Sequence, residues 1–383
     1  MSYATGLKDF NIHSEIYTTT ILNNTKQEQM QGIKINRFSY FYPYINLKKQ
    51  IKEKLDFVGG NIFSFSLFFS LLFKKNIDLI HVHTFKRMGG IARVICKIRN
   101  IPYVVSIHGG IYNRKATPSP TMNDKSFEWG KILGFIVGSR RVIKDSDAII
   151  CLNTNEYKEM RKRITDNNIL LLPNSVNVEA FSQPKNSNLR EKYHIGSEKF
   201  LCLISGRIDK QKNQLFVLKM LNSLKGSAYN IHILLVGNIT DNEYFLQIQY
   251  YIQDNKLQNS VTIITDMQPD SKELVDVYLN ADALILPSLH EPFGIVVLEA
   301  WASDLPVLVS QTAGVCNFIE HKKNALIFDH TSQISLQSNL INIIEDKKLQ
   351  ISLSHNAKKS VTSFDKNIIN SHINSIYRNL LQK

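Results

Sequence analysis

Apolar runs alternate with segments of helical period throughout the second half of the chain. The runs fall at 200–205, 231–237, 261–264, 282–287, 306–310 and 325–328. Between them, apolar residues recur at three- and four-residue spacing over 213–224, 242–255, 272–280, 294–303 and 332–344. A strand covered on both faces reads as a continuous hydrophobic run, and alternation with helices makes βαβ units. The pattern predicts a doubly wound, mostly parallel sheet. The first half repeats the theme with strands expected at 14–20, 33–39, 78–83, 102–108, 147–152 and 169–172. Its helices are expected at 61–75, 89–99, 125–144 and 155–164. The stretch 174–198 is polar and carries Pro184, Asn186, Ser187 and Asn188, which predicts a linker. After Asp329 the pattern is helical to the end, and 367–381 is amphipathic. The fold class expected is therefore α/β, with two Rossmann-like domains, 1–180 and 181–364, facing each other across a cleft. The last helix, 365–383, is expected to pack back on the first domain.

That architecture gives the motif Glu291-Pro-Phe-Gly-Ile-Val-Val-Leu-Glu299 its meaning. The strand at 282–287 would deliver Glu291 to the sheet's carboxyl edge, where α/β proteins bind their ligands. Glu299, on the second turn of the helix that follows, would reach the same ligand further along. Gly294 and Ile295 would present unpaired N–H groups at that helix's start, which suit phosphate or sugar oxygens. The competing reading is a strand–turn–helix unit with two solvated glutamates. Gly206-Arg207-Ile-Asp-Lys-Gln-Lys212 follows the strand at 200–205 and makes a phosphate cradle on the same edge. Arg207 can fork onto two oxygens and Lys212 adds a point charge; taken alone, the segment reads equally as a solvated basic loop. No dinucleotide fingerprint or P-loop is present. In the first half, His108 ends a strand and is followed by Gly109 and Gly110, which let a ligand approach the backbone. His81 and His83 alternate on the strand at 78–83 and read as structural. Thr312-Ala313-Gly314, after the strand at 306–310, is a weaker candidate for contributing backbone N–H groups to the same edge.

Composition narrows the partners. Of the 46 Lys/Arg and 33 Asp/Glu, residues 1–180 hold 26 and 14, so nearly all of the +13 net charge lies in the first half. Such a face attracts anionic lipid or nucleic acid. No helix-turn-helix, zinc pattern or aromatic–basic repeat supports nucleic acid. The longest apolar run, 62–73, is too short to span a bilayer, and the first residues lack the basic flank and apolar core of a signal peptide. Cys96, Cys151, Cys202 and Cys316 form no Cys-x-x-Cys pair, so neither zinc nor a disulfide framework is expected. The compartment expected is reducing cytoplasm, and the charge asymmetry by itself does not name the partner.

These residues together resemble the retaining GT-B glycosyltransferases of family 4 (glycosyltransferase group 1). Arg207-x4-Lys212, Glu291-x7-Glu299 and the strand-end His108-Gly109 occur in that family's order, as do Leu172-Pro173-Asn174 and Leu305-Pro306-Val-Leu-Val-Ser310 with Ala313-Gly314. The likeness runs over most of the chain. It implies transfer of a sugar from a nucleoside diphosphate donor to a hydroxyl of a surface polysaccharide or lipid-linked glycan precursor, with the basic first domain taking the acceptor and lying peripherally against the anionic inner face of the cell membrane. By the resemblance, Arg207 and Lys212 would hold the donor diphosphate beside Gly206, Glu291 would contact the transferred sugar, and Glu299 would bind the ribose. Phe293, Gly294, Ile295 and Val296 would meet sugar and phosphate through backbone groups, and His108 would sit by the reacting centre. No cofactor and no metal are implied. Two departures accompany the likeness. Members begin with a strand, a Gly-Gly loop and a helix, whereas this chain starts near the end of that helix; Ser175 stands where relatives carry Asn-Gly. The first implies either a start site set too late or a truncated, catalytically weak nucleotide-sugar-binding copy or partner subunit.

Overall fold

The computed structural model describes residues 2–109, 127–165, 168–184, 188–268 and 271–382, and the chain divides into two compact units. The second unit, Asn174–Lys366, is built on one six-stranded sheet in which every pairing is parallel. Its strands in chain order are Phe200–Ser205, Ile231–Val236, Val261–Ile264, Ala283–Leu286, Val307–Ser310 and Leu326–Phe328. In space they run third, second, first, fourth, fifth, sixth. All four residues of the strands Ala283–Leu286 and Val307–Ser310 are buried, as an apolar run covered by helices on both faces requires. The connecting helices Gln214–Ser223, Asn242–Asp254, Lys272–Asn280, Ile295–Ala302 and Gln333–Glu345 match the predicted segments to within one or two residues.

The first unit comprises Met1–Pro173 with Asn367–Lys383. Its parallel sheet orders Ile80–Val82, Tyr103–Ile107, Ala148–Cys151 and Asn168–Leu171 side by side. The strands Glu15–Thr19 and Ile33–Phe38 pair in parallel but belong to a separate three-stranded sheet, completed by the antiparallel Gln27–Met30. The helix Lys366–Leu381 lays Ile369, Ile373, Tyr377 and Leu380 into a core shared with Leu7, Val104, Ala148, Ile150 and Leu172.

Three expectations differ from what is found. The boundary lies after Pro173, and the polar stretch expected as a linker is part of the second unit. Its short helical turns Val178–Phe181 and Leu189–Lys192 bury Phe181 and Leu189, and Phe181 packs edge-on against Tyr278. Sparse apolar anchors do this work, and average polarity hid them. The helix expected over 125–144 is confined to Gly130–Ile136, because Gly138 takes φ +58 and turns the chain. The helix Lys49–Val58, concealed by its lysines, buries Leu55 along one face.

Candidate active site

In the second unit the strand order reverses between the neighbouring strands Phe200–Ser205 and Ala283–Leu286. Crossovers leave these two strands toward opposite faces, so a crevice opens at their carboxyl ends. Both sequence motifs emerge there. Gly206 leaves the first strand at φ +144, and Arg207 to Lys212 form the turn into the next helix. Glu291 lies in the turn after the other strand. Hydrogen bonds stitch the two turns together. The Leu289 N–H donates to the Gln211 carbonyl at 2.9 Å, Gln211 Nε2 donates to the His290 carbonyl at 2.8 Å, and Asn213 Nδ2 donates to the Pro287 carbonyl at 3.2 Å.

This lacing brings Lys212 Nζ onto Glu291 Oε2, with only 15% and 11% of the two side chains exposed. The buried Ser288 hydroxyl reaches the same carboxylate oxygen at 3.4 Å. Arg207 is 54% exposed and pairs with Asp209 at 3.2 Å. Asp209 organises the turn: its Oδ1 accepts from the Lys212 N–H at 3.0 Å and its Oδ2 from Thr240 Oγ1 at 3.2 Å. The turn after Ile231–Val236 presses equally close. Gly237 sits at φ +150, and a Cβ there would lie 2.0 Å from the Gly206 carbonyl oxygen.

Gly294, at φ +103, caps the helix Ile295–Ala302. The N–H groups of that helix's first turn have no acceptor within the helix itself, as at any helix start. Ile295 is exposed and Val296 half-buried. Phe293 is buried against Phe318, and its carbonyl accepts from the Val315 N–H at 2.7 Å, so its side chain and carbonyl serve the core. Glu299 takes the Tyr278 hydroxyl at 2.5 Å. Tyr278 is fully buried, and its hydroxyl pKa is raised well above the ordinary value by burial and then by the Glu299 charge; it also bonds Ser205, at the end of the first strand. Glu299 is thus held at the same sheet edge as Arg207. Thr312 and Gly314 are placed differently from expectation. The Gly314 N–H donates to the Glu291 carbonyl at 2.9 Å, and Thr312 Oγ1 donates to the Ser288 carbonyl at 2.7 Å. The groups expected to face a ligand instead fasten the Glu291 turn.

In the first unit His108 follows the strand Tyr103–Ile107, and its Nε2 lies 2.8 Å from His83 Nδ1. His83 stacks on His81 at 4.2 Å between ring centroids. His81 is fixed from both sides, by Tyr377 at 2.6 Å and Ser106 at 2.7 Å. Burial, then repulsion from the other rings, drives His81 well below its ordinary pKa; loss of solvation also lowers His83, to about 4, and His108. Loss of solvation thus holds His108 toward its neutral form. Gly109 takes φ +89, and its N–H donates to Glu156. Gly110 lies outside the described residues. Among the described residues, no three His, Cys, Asp or Glu side chains group to hold a metal ion.

Comparison with known families bears on both units. The model for glycosyl transferases group 1 matches residues 185–360, and that for glycosyltransferase family 4 matches residues 36–180. The chain belongs to the group 1 glycosyltransferases. It is 25% identical over 265 residues to an uncharacterized glycosyltransferase of Methanocaldococcus jannaschii, covering 65% of this chain and 61% of the relative. It is also 25% identical over 257 residues to the UDP-Gal:alpha-D-GlcNAc-diphosphoundecaprenol alpha-1,3-galactosyltransferase of Escherichia coli, covering 64% and 61%. The chain thus spans about three fifths of the length of these curated relatives. The crystal structure of Anabaena HepE in complex with UDP and glucose superposes with a TM-score of 0.74 at 16% identity, over 99% of this chain and 95% of that one. The fold is that of the GT-B glycosyltransferases.

Within this fold, four residues that sequence reasoning missed position the ones it found. Asp209 shapes the Arg207–Lys212 turn, Tyr278 holds Glu299, Gly237 allows two turns to touch, and Glu156 holds the Gly109 backbone. Asp209 sits inside the recognised motif and could have been read as a turn-forming Asp. The other three act across the fold and leave no local signal.

Proposed function

We propose that this glycosyltransferase moves a sugar from a nucleoside diphosphate donor to a hydroxyl of a surface polysaccharide or lipid-linked glycan precursor, with retention of configuration. The observation that carries the reading is the Lys212–Glu291 contact at the switch point, flanked by Arg207 and a helix N-terminus. A diphosphate leaving group develops negative charge as the bond to the sugar's anomeric carbon breaks. Preorganised cations and dipoles aimed at that charge are commonly the largest catalytic term. Arg207 would fork onto the phosphates, and Lys212 would exchange its carboxylate partner for a phosphate oxygen. Glu291, released, would accept hydrogen bonds from the sugar hydroxyls. Glu299, braced by Tyr278, would take the ribose hydroxyls. His108, neutral, would serve as a hydrogen-bonding group for the sugar. The acceptor hydroxyl would bond the anomeric carbon on the face that the diphosphate leaves, its proton passing to the departing phosphate oxygen. The relatives support this chemistry: that of Escherichia coli is named for a UDP-sugar donor and a lipid diphosphate acceptor, and HepE was crystallised with UDP and glucose.

The test is donor hydrolysis or transfer by the full chain, with nucleotide sugars screened first by thermal shift. Arg207→Ala and Glu291→Ala are each expected to lower turnover by about 100-fold, the usual effect of removing one charge-stabilising group. Turnover is expected to survive a metal chelator. Wild-type rates in both variants on a donor that the protein binds would sink the assignment.

A further inference from the structure

Two neighbouring helices of the first unit turn large apolar side chains outward. Phe65–Phe73 is capped by the Ser64 side chain, which accepts from the Leu67 N–H, and it buries Leu67 and Leu71. Phe65, Phe69 and Phe73, spaced four apart, form a stripe on its other face. The helix Gly130–Ile136 sends Leu133 into the same cluster as Leu67 and Leu71, and leaves Ile132, Phe135 and Ile136 outside. These six side chains are between 51% (Phe65) and 88% (Phe135) exposed. Phe41 stacks on both Phe65 at 5.6 Å and Trp129 at 6.1 Å, so one aromatic seam joins the starts of the two helices. A contiguous apolar face of this kind is uncommon on a monomer's surface.

Charge distinguishes the occupants. Residues 59–77 carry Lys74 and Lys75, and residues 129–144 carry Lys131, Arg140, Arg141 and Lys144; Lys74 pairs with Glu15 and Arg141 with Asp145. Lys75, Lys131 and Arg140 are exposed. Aromatic residues rimmed by cations, on helices too short to cross a bilayer, fit an interface of anionic headgroups over acyl chains. We propose that the helices Phe65–Phe73 and Gly130–Ile136 form a docking surface that inserts its phenylalanines and isoleucines into an anionic lipid bilayer. The surface owes nothing to the donor site, so this inference and the transfer reading fail separately.

The experiment is sedimentation of the full chain with vesicles of phosphatidylcholine alone or mixed with phosphatidylglycerol. Binding is expected only to the mixed vesicles and weakens as salt rises. Phe69→Ser/Phe73→Ser is expected to lower the partition coefficient at least about tenfold, since each side chain loses an apolar burial. Lys75→Glu/Lys131→Glu is expected to lower it by about the same factor. The chain has two tryptophans, and Trp301 is fully buried, so a blue shift on docking reports Trp129 alone. Circular dichroism confirms that the variants, altered only at exposed positions, stay folded. Three outcomes overturn the proposal. One is no binding to the mixed vesicles, and another is binding that salt abolishes but the phenylalanine variant leaves intact. The third is a wild-type dimer that the same variant dissociates without any vesicle binding, which would make the face a contact between two copies.

Discussion

Lys212 and Glu291 neutralise each other at the switch point, so under the proposed reading a donor diphosphate would have to displace Glu291 from the ammonium. Both residues were legible in the sequence because a strand, a glycine turn and a charged residue in succession already imply the sheet edge. Their direct contact was not, since it depends on strand order, which no local pattern encodes. Glu156 was invisible for a related reason: it looks like any acid in a helix's first turn. In the structure it accepts N–H groups from Leu152, Asn153 and Gly109, yet burial outweighs those donors and pushes its carboxyl up to about 7 from 4.5. A raised carboxyl pKa means that the folded chain keeps a proton the unfolded chain has already released. Its stabilising contribution is complete below pH 4.5 and is lost as pH rises through about 7. Glu156→Gln keeps an acceptor for the Gly109 N–H without the charge. Urea denaturation is expected to show the variant gaining on wild type between those limits, by about 1 kcal/mol at pH 8 after allowing for solvent screening. A difference that stays flat from pH 4.5 to pH 8 would remove Glu156 as the cause.

Elements were predicted well where hydrophobic periodicity was strong and poorly where it was diluted. The six strands of the second unit were legible because each is a mostly apolar run, fully buried in central strands such as Ala283–Leu286 and half-buried at the edge strand Val261–Ile264. The stretch after Pro173 and the helix Lys49–Val58 were not, because a few buried side chains anchor otherwise polar segments. Close approach between turns is equally silent in sequence. Gly237 and Gly206 end adjacent strands, and each takes a φ that side chains rarely adopt. Gly237→Ala would place its methyl group 2.0 Å from the Gly206 carbonyl oxygen, forcing the Arg207 turn aside. The expected cost is about 2–3 kcal/mol of stability from strain and overlap together. Donor affinity should fall as well, because the displaced turn carries Arg207 and Lys212. Chemical denaturation and nucleotide titration measure the two effects; unchanged values in both would show that the turns are free to separate.

At the scale of the whole molecule, the chain order of the two units makes unequal demands on its ends. The second unit is one continuous segment, Asn174–Lys366, whereas the first is closed only by residues that follow it. Those residues contribute Ile369, Ile373, Tyr377 and Leu380 to a core with Val104, Ala148 and Ile150, and the Tyr377 hydroxyl secures His81 beneath His83 and His108. Each buried apolar side chain is worth about 1.5–3 kcal/mol. Losing four, about 6–12 kcal/mol, is comparable to the whole stability of a typical domain, about 5–15 kcal/mol. A chain ending at Lys366 is therefore expected to lose the first unit while keeping the second. Hydrogen exchange should find amides in Tyr103–Ile107 and Ala148–Cys151 unprotected, while Ala283–Leu286 and Val307–Ser310 stay protected. The same truncated chain should still be stabilised by a nucleoside diphosphate, because Arg207, Lys212, Glu291 and Glu299 all lie on the segment that remains. Protection surviving in the first unit's sheet would mean that the terminal helix is an accessory to that core. Protection lost from both sheets would mean that the second unit cannot fold without the first.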